Sequence, residues 1–140
     1  MVYAIRFHDI SCGHRVVGHE NKCRLLHGHN YRIHFHIDGE KLDEVGRVID
    51  FGVIKSILCE WLEENLDHKT LIWTEDPMLP ALKEISAESI HEVPFNPTAE
   101  NIAKYLVDVI GPRELAETET RLVKVIIEET RKCSVAYEIA

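Results

Sequence analysis

Apolar and polar residues alternate at the start of the chain, where Tyr3, Ile5 and Phe7 are interleaved with Ala4, Arg6 and His8, the period-2 signature of a strand. From Tyr3 to about Val17 the pattern predicts one long bent strand or an antiparallel pair, with Gly13 marking a bulge or a close backbone approach beside His14. Gly18-His19-Glu20-Asn21-Lys22 is polar and opens on glycine, so it reads as a loop. The next strand is the clearest: His29, Tyr31, Ile33, Phe35 and Ile37 share one face, Arg32, His34, His36 and Asp38 the other, and Asp38-Gly39-Glu40 ends it in a turn. Extended back through Gly28, the strand carries His27 and His29 on the apolar side, at the lip of the core.

Helical spacing follows. Ile54, Ile57, Leu58, Trp61, Leu62 and Leu66 recur behind Asp50, a natural N-cap, and the helix ends near Leu66-Asp67-His68. Residues 69–96, punctuated by Pro77, Pro80 and Pro94, read as a long excursion with only a short helical turn at 78–85. Asn96-Pro97-Thr98-Ala99-Glu100 has helix-start chemistry, Ile102, Ala103, Leu106, Val107 and Ile110 form a buried stripe, and Gly111-Pro112 is the expected stop. Residues 121–130 and 133–139 then predict a closing antiparallel hairpin. Strands, helix, helix, strands is the order of an α+β fold, with both helices on one face of an antiparallel sheet.

Composition narrows the setting. The 140 residues suit a single domain spanning 1–140, and 45% hydrophobic with 29% charged residues is enough to build a core. A net charge of -8 and a pI near 5.6 argue against nucleic acid or an acidic membrane as partner. The amino terminus reads as a strand rather than a signal peptide, and no apolar run approaches the roughly 18 residues of a membrane span. Four cysteines without a CxxC spacing, Cys12, Cys23, Cys59 and Cys133, are expected to be free thiols in a reducing, cytoplasmic compartment.

The candidate chemistry gathers around Cys23-Arg24-Leu25-Leu26-His27-Gly28-His29. His27 and His29, two apart on a strand, project to one side, and His14 from the neighbouring strand can complete a three-histidine set of the kind that leaves zinc an open position. Against this, single histidines often serve as satisfied core or surface residues, and His34-Phe35-His36 repeats the pattern on the opposite face with no thiol nearby. Cys23 reads equally as an inert thiol, a base or nucleophile, or a fourth ligand that would close the site. Asp67-His68 is either a helix-end pair complementing the dipole or a carboxylate-supported proton shuttle. Glu129 shares the parity of Val123, Val125 and Ile127, and a carboxylate facing a core needs a partner: an arginine, a backbone donor, or a ligand offering two parallel N–H groups. Thr98 and Glu100 are accounted for as cap and first-turn acid.

Taken together, His14, Cys23-x-x-x-His27-Gly28-His29, Val48-Ile49-Asp50-Phe51, Leu66-Asp67-His68, Pro97-Thr98-Ala99-Glu100-Asn101 and Glu129-Thr130 occur in an order that resembles the 6-pyruvoyltetrahydropterin synthase family. The short Cys-to-His spacing is most similar to its 6-carboxytetrahydropterin synthase branch, which acts in queuosine and deazapurine biosynthesis. The resemblance implies the tunnelling fold and homotrimers or hexamers with active sites between subunits. It also implies a Zn2+ ion held by His14, His27 and His29, catalytic Cys23, Asp67 and His68, and a pterin triphosphate substrate bound by Glu129 and Thr98. The implied reaction converts 7,8-dihydroneopterin triphosphate to 6-carboxytetrahydropterin, acetaldehyde and triphosphate. Alternatives are the pyruvoyl-forming elimination and a zinc-stabilised pterin-binding module without turnover.

Overall fold

A computed structural model describes residues 1–139. Six strands form one sheet: β1 (Ala4–His14), β2 (His27–Gly39), β3 (Thr70–Trp73), β4 (Ile90–Val93), β5 (Thr120–Glu128) and β6 (Ser134–Glu138), in the spatial order β4-β3-β1-β2-β5-β6. The helices are α1 (51–65), α2 (Leu79–Ser86) and α3 (99–114). This is the α+β architecture expected from the sequence.

Each main helix starts where its cap chemistry places it. Asp50 Oδ1 accepts the Gly52 N–H at 2.8 Å, and Thr98 Oγ1 accepts the Asn101 N–H at 3.1 Å, each satisfying a donor that the first turn leaves orphaned. Ile54, Leu58 and Leu62 of α1 and Ile102, Leu106 and Ile110 of α3 are buried with Tyr31, Ile33, Phe35, Val125 and Ile127 of the central strands in one contiguous core. Opposite the bulge at His36/Ile37, both Leu122 and Val123 turn inward.

Three features depart from the sequence pattern. The sheet is mixed: β1, β2, β5 and β6 pair antiparallel, but β3 joins β1 and β4 joins β3 in parallel. The 69–96 segment is therefore an ordered strand-helix-strand addition rather than an excursion. Its strands are four residues long, too short for a period to declare itself, and their pairing depends on β1. Gly111-Pro112 does not stop α3 either, which continues to Glu114. A wider turn over Leu106–Ile110, in which Gly111 N–H reaches Leu106 O, precedes the proline and takes up the register its ring would otherwise disturb. Finally, Ile5 and Phe7 lie about half exposed (49% and 48%), while Ala4, Ile10, Cys12 and His14 of the same strand face the helices. No described helix is long and apolar enough to cross a membrane.

Candidate active site

The register of β1 on β2 assembles the histidines. His14 pairs with His27, Cys12 with His29 and Ile10 with Tyr31, so these side chains share the core-facing side at one end of the hairpin. Between the histidine positions Gly13 faces Gly28. A Cβ at Gly28 would stand 3.2 Å from Cys12 O, and one at Gly13 would stand 3.1 Å from Thr70 Oγ1 of β3, so a side chain at either position would crowd a neighbouring strand.

His14 is 1% exposed. Its Nδ1 lies 2.6 Å from Pro97 O, and His27 Nδ1 lies 2.6 Å from Leu25 O. A carbonyl only accepts, so both Nδ1 atoms carry the proton and both Nε2 atoms present lone pairs. Those two Nε2 atoms face each other at 3.0 Å. Two acceptors in contact repel unless a cation stands between them. His29 Nε2 is buried and lacks a hydrogen-bond partner; Glu129 Oε1 is 3.2 Å away but out of line for a hydrogen bond. One ring nitrogen from each histidine lies within 4.8 Å of the others, and neither Cys23 nor Glu129 belongs to that group. Burial pushes His14 down to about 4, against the pull of the Pro97 carbonyl and with the neighbouring imidazoles adding to the fall. His29 is likewise lowered, chiefly by burial. Three convergent rings with backbone carbonyls fixing two tautomers can hold a metal ion and leave coordination positions open.

Cys23 stands in the short helical turn Lys22–Arg24 between β1 and β2, half-buried and free. The other catalytic candidates arrive from the end of α1. Asp67 Oδ1 accepts the Ser11 N–H at 2.9 Å, Asp67 Oδ2 lies 2.8 Å from His68 Nδ1, and His68 N–H donates to Ser11 O at 2.6 Å. Burial raises the Asp67 carboxyl, but the Ser11 N–H and the His68 ring outweigh it and hold it below the usual carboxylate range. His68 is in the left-handed region at φ 60°, a conformation costly for a residue with a Cβ. It is clamped there by Ser11, with its ring 82% exposed. This is a supported histidine aimed at solvent, beyond what a helix-end dipole partner requires.

Asp67, His68, His29 and Glu129 line one open cleft of about 1230 Å³, together with Asn30, Arg32 and the turn after β5. Glu129 follows the last residue of β5 and keeps the inward parity read from sequence, its carboxylate beside His29. Thr98 caps α3, using an acceptor lone pair and keeping its hydroxyl proton.

The 6-pyruvoyl tetrahydropterin synthase family model matches residues 4–140. The chain belongs to this family. It is 35% identical over 136 residues to the 6-carboxy-5,6,7,8-tetrahydropterin synthase of Rickettsia typhi, covering 96% of this chain and 99% of that protein. It is 37% identical over 126 residues to the protein of the same name from Aquifex aeolicus, covering 84% and 76%. Among solved structures, an uncharacterized protein from Wolinella succinogenes superposes with a TM-score of 0.84 at 24% identity, over 98% of this chain and 97% of that one. The 6-pyruvoyl tetrahydropterin synthase of Caenorhabditis elegans gives 0.69 at 23%, over 99% and 96%. These two establish the shared fold.

Several residues shape this family member's site in ways that no motif announces. The Pro97 carbonyl orients His14, although nothing in the helix-start motif that Pro97 opens points to that histidine. Tyr31 places its hydroxyl 3.3 Å from both His14 ring nitrogens; its parity with His29 was the available signal. Asn96 braces the start of the β1–β2 connection, accepting Val17 N–H at 3.0 Å and donating to Val17 O at 2.9 Å, a role invisible until the two stretches are adjacent.

Proposed function

We propose that the protein is a zinc-dependent 6-carboxytetrahydropterin synthase acting on 7,8-dihydroneopterin triphosphate. The observation that carries the reading is the convergence of the His14, His27 and His29 nitrogens beside Glu129, Asp67 and His68, in a chain about 35% identical over almost its full length to proteins of that name. Zinc, held by His14, His27 and His29, would supply Lewis acidity toward side-chain oxygens of the substrate. That Cys23 lies outside the convergent group supports an open rather than a closed metal position.

This chain's own residues supply proton movement and binding. Asp67, kept ionised, accepts from His68 Nδ1, so His68 Nε2 offers a lone pair toward the cleft and can take or return a proton. Cys23 is assigned as the second base. Glu129 is assigned to the amino-pyrimidinone edge, where one carboxylate accepts two parallel N–H groups, and the free Thr98 hydroxyl proton suits a further contact. The half-exposed Ile5 and Phe7 on the helix-free face support assembly into trimers or hexamers in which a neighbour completes the cleft. Four free thiols accord with a cytoplasmic enzyme.

Product identification tests the reading. Incubation with 7,8-dihydroneopterin triphosphate and zinc is expected to release acetaldehyde, triphosphate and 6-carboxytetrahydropterin. A pyruvoyl pterin without acetaldehyde would move the protein to the elimination branch. Tight pterin binding with no turnover would make it a binding module.

A further inference from the structure

The turn that carries Cys23 is held at three successive carbonyls. Cys23 O accepts from Val16 N–H at 2.7 Å, Arg24 O accepts from Arg15 Nη1 at 3.0 Å, and Leu25 O accepts from the His27 ring at 2.6 Å. The first and third bonds stay within the β1–β2 connection, and the third ties the turn directly to a histidine of the triad. The second reaches outside. Arg15 Nε and Nη2 donate to Asp76 Oδ2 and Oδ1 at 2.6 and 2.9 Å.

Asp76 is a rigid anchor for that guanidinium. Its side chain is 0% exposed and that of Arg15 is 15% exposed. Asp76 Oδ1 also accepts the Met78 N–H at 2.8 Å, while the Asp76 N–H donates to Trp73 O at 2.9 Å and the Asp76 carbonyl accepts from Leu79 N–H at 3.0 Å. The carboxylate is thus locked into the connection between β3 and α2, inside the segment that sequence pattern left without structure. A buried ion pair adds little net stability over an apolar pair of the same volume. What a bidentate guanidinium adds is planarity: with two N–H groups fixed on Asp76, the remaining Nη1 can meet the Arg24 carbonyl in only a narrow range of positions.

We propose that the Arg15–Asp76 pair is a positioning clamp for Cys23, tying the thiol-bearing turn to the β3–α2 connection and so setting where the sulfur stands relative to the three histidines. Neither residue touches the reacting atoms; both act through the backbone of the turn. The proposal rests on the assignment of Cys23 as a base.

The test uses the zinc-loaded protein and two variants, Arg15→Lys and Asp76→Asn, with two readouts. Peptide-resolved alkylation by iodoacetamide reports the Cys23 thiol without turnover, against the exposed Cys133 on the same molecule. Steady-state kinetics on 7,8-dihydroneopterin triphosphate report kcat and KM. Arg15→Lys keeps a cation for Asp76 but loses the fork that reaches Arg24 O. It is expected to shift the Cys23:Cys133 alkylation ratio about threefold or more and to lower kcat about 10- to 100-fold, with KM within about twofold and zinc content unchanged. Asp76→Asn strands the Arg15 charge and is expected to act in the same direction; should it not fold, Arg15→Lys decides alone. A folded Arg15→Lys protein with either the alkylation ratio or kcat unchanged overturns the clamp. The underlying assignment fails separately: wild-type turnover by Cys23→Ala removes Cys23 as a base, while the alkylation ratio still judges whether Arg15 holds the turn.

Discussion

Replacing Asp67 by asparagine reverses the hydrogen-bonding sense of one atom and leaves the rest of the site in place. In the wild type Asp67 Oδ1 accepts the Ser11 N–H at 2.9 Å and Oδ2 lies 2.8 Å from His68 Nδ1. Because a carboxylate only accepts, His68 Nδ1 carries the proton and Nε2 presents the lone pair proposed to act as the base. An asparagine whose carbonyl stays on Ser11 turns its NH2 toward His68, so Nδ1 has to accept and the proton moves to Nε2. The base becomes a donor. A positioned acid-base group contributes about 10²- to 10⁴-fold, so kcat should fall by that much, about 3–5 kcal/mol in the barrier, with KM little changed. The Ser11 bond survives and the His68 ring is largely in solvent, so stability should change by less than about 1 kcal/mol, or roughly 4 °C in Tm for a chain of this size. Substrate consumption, thermal unfolding and the 15N shifts of the His68 ring measure the three quantities. A flipped His68 tautomer with wild-type kcat would refute the role given to this pair, as would a loss of kcat that merely tracked a collapse in Tm.

Other consequences are direct. His29→Ala should abolish stoichiometric zinc binding, measured by elemental analysis after gel filtration, while leaving the far-UV circular dichroism unchanged, because His29 sits at the end of β2 outside the apolar core; retained stoichiometric zinc would remove it from the ligand set. Gly111→Ala would place a Cβ 2.8 Å from Leu122 Cβ and 3.1 Å from Leu106 O, overpacking expected to cost about 1–3 kcal/mol, read as a lowered Tm; an unchanged Tm would mean that α3 yields there. Asp76 is raised by burial but held below the ordinary carboxylate value by Arg15 and the Met78 N–H. Its contribution to stability is therefore complete above the unfolded carboxylate pKa, near 3.9, and is lost as pH falls through the lower folded value. Wild-type Tm should drop more steeply below about pH 4 than that of Asp76→Asn, and equal acid slopes would count against the ion pair. Burial pushes the Cys12 thiol up to about 12, so Cys12 should resist iodoacetamide at pH 8 while Cys133 reacts, as peptide-resolved mass spectrometry would show; rapid labelling of Cys12 would contradict its burial.

Much of this site is legible in one dimension because its parts are local. His27 and His29 point the same way because a strand repeats every two residues, and the same rule carries Glu129 to the inner face with Val125 and Ile127. Asp50 and Thr98 cap the helices that their side-chain chemistry predicts. The parity rule is silent about which face is inner at the start of β1: the larger apolar residues Ile5 and Phe7 stand outside, and Ala4, Ile10 and Cys12 inside, because the helices pack against the side chosen by β2. The stop signal Gly111-Pro112 likewise gives way to context, since a wider turn just upstream accommodates the proline and Gly111 is needed small against Leu122.

Sequence alone therefore determines the α+β class, the two long helices with their caps, the inward direction of His27, His29 and Glu129, and the candidates for metal ligation and proton movement. These follow from chain periodicity and side-chain chemistry, which act over a few residues. Tertiary structure decides the rest: that Pro97 fixes the tautomer of His14 from 83 positions away, that Ser11 holds His68 in a left-handed conformation, and that Asp76 reaches back to the turn of Cys23. A backbone carbonyl, a backbone N–H and a buried carboxylate have no sequence signature, because their roles arise only when distant segments are brought within hydrogen-bonding distance.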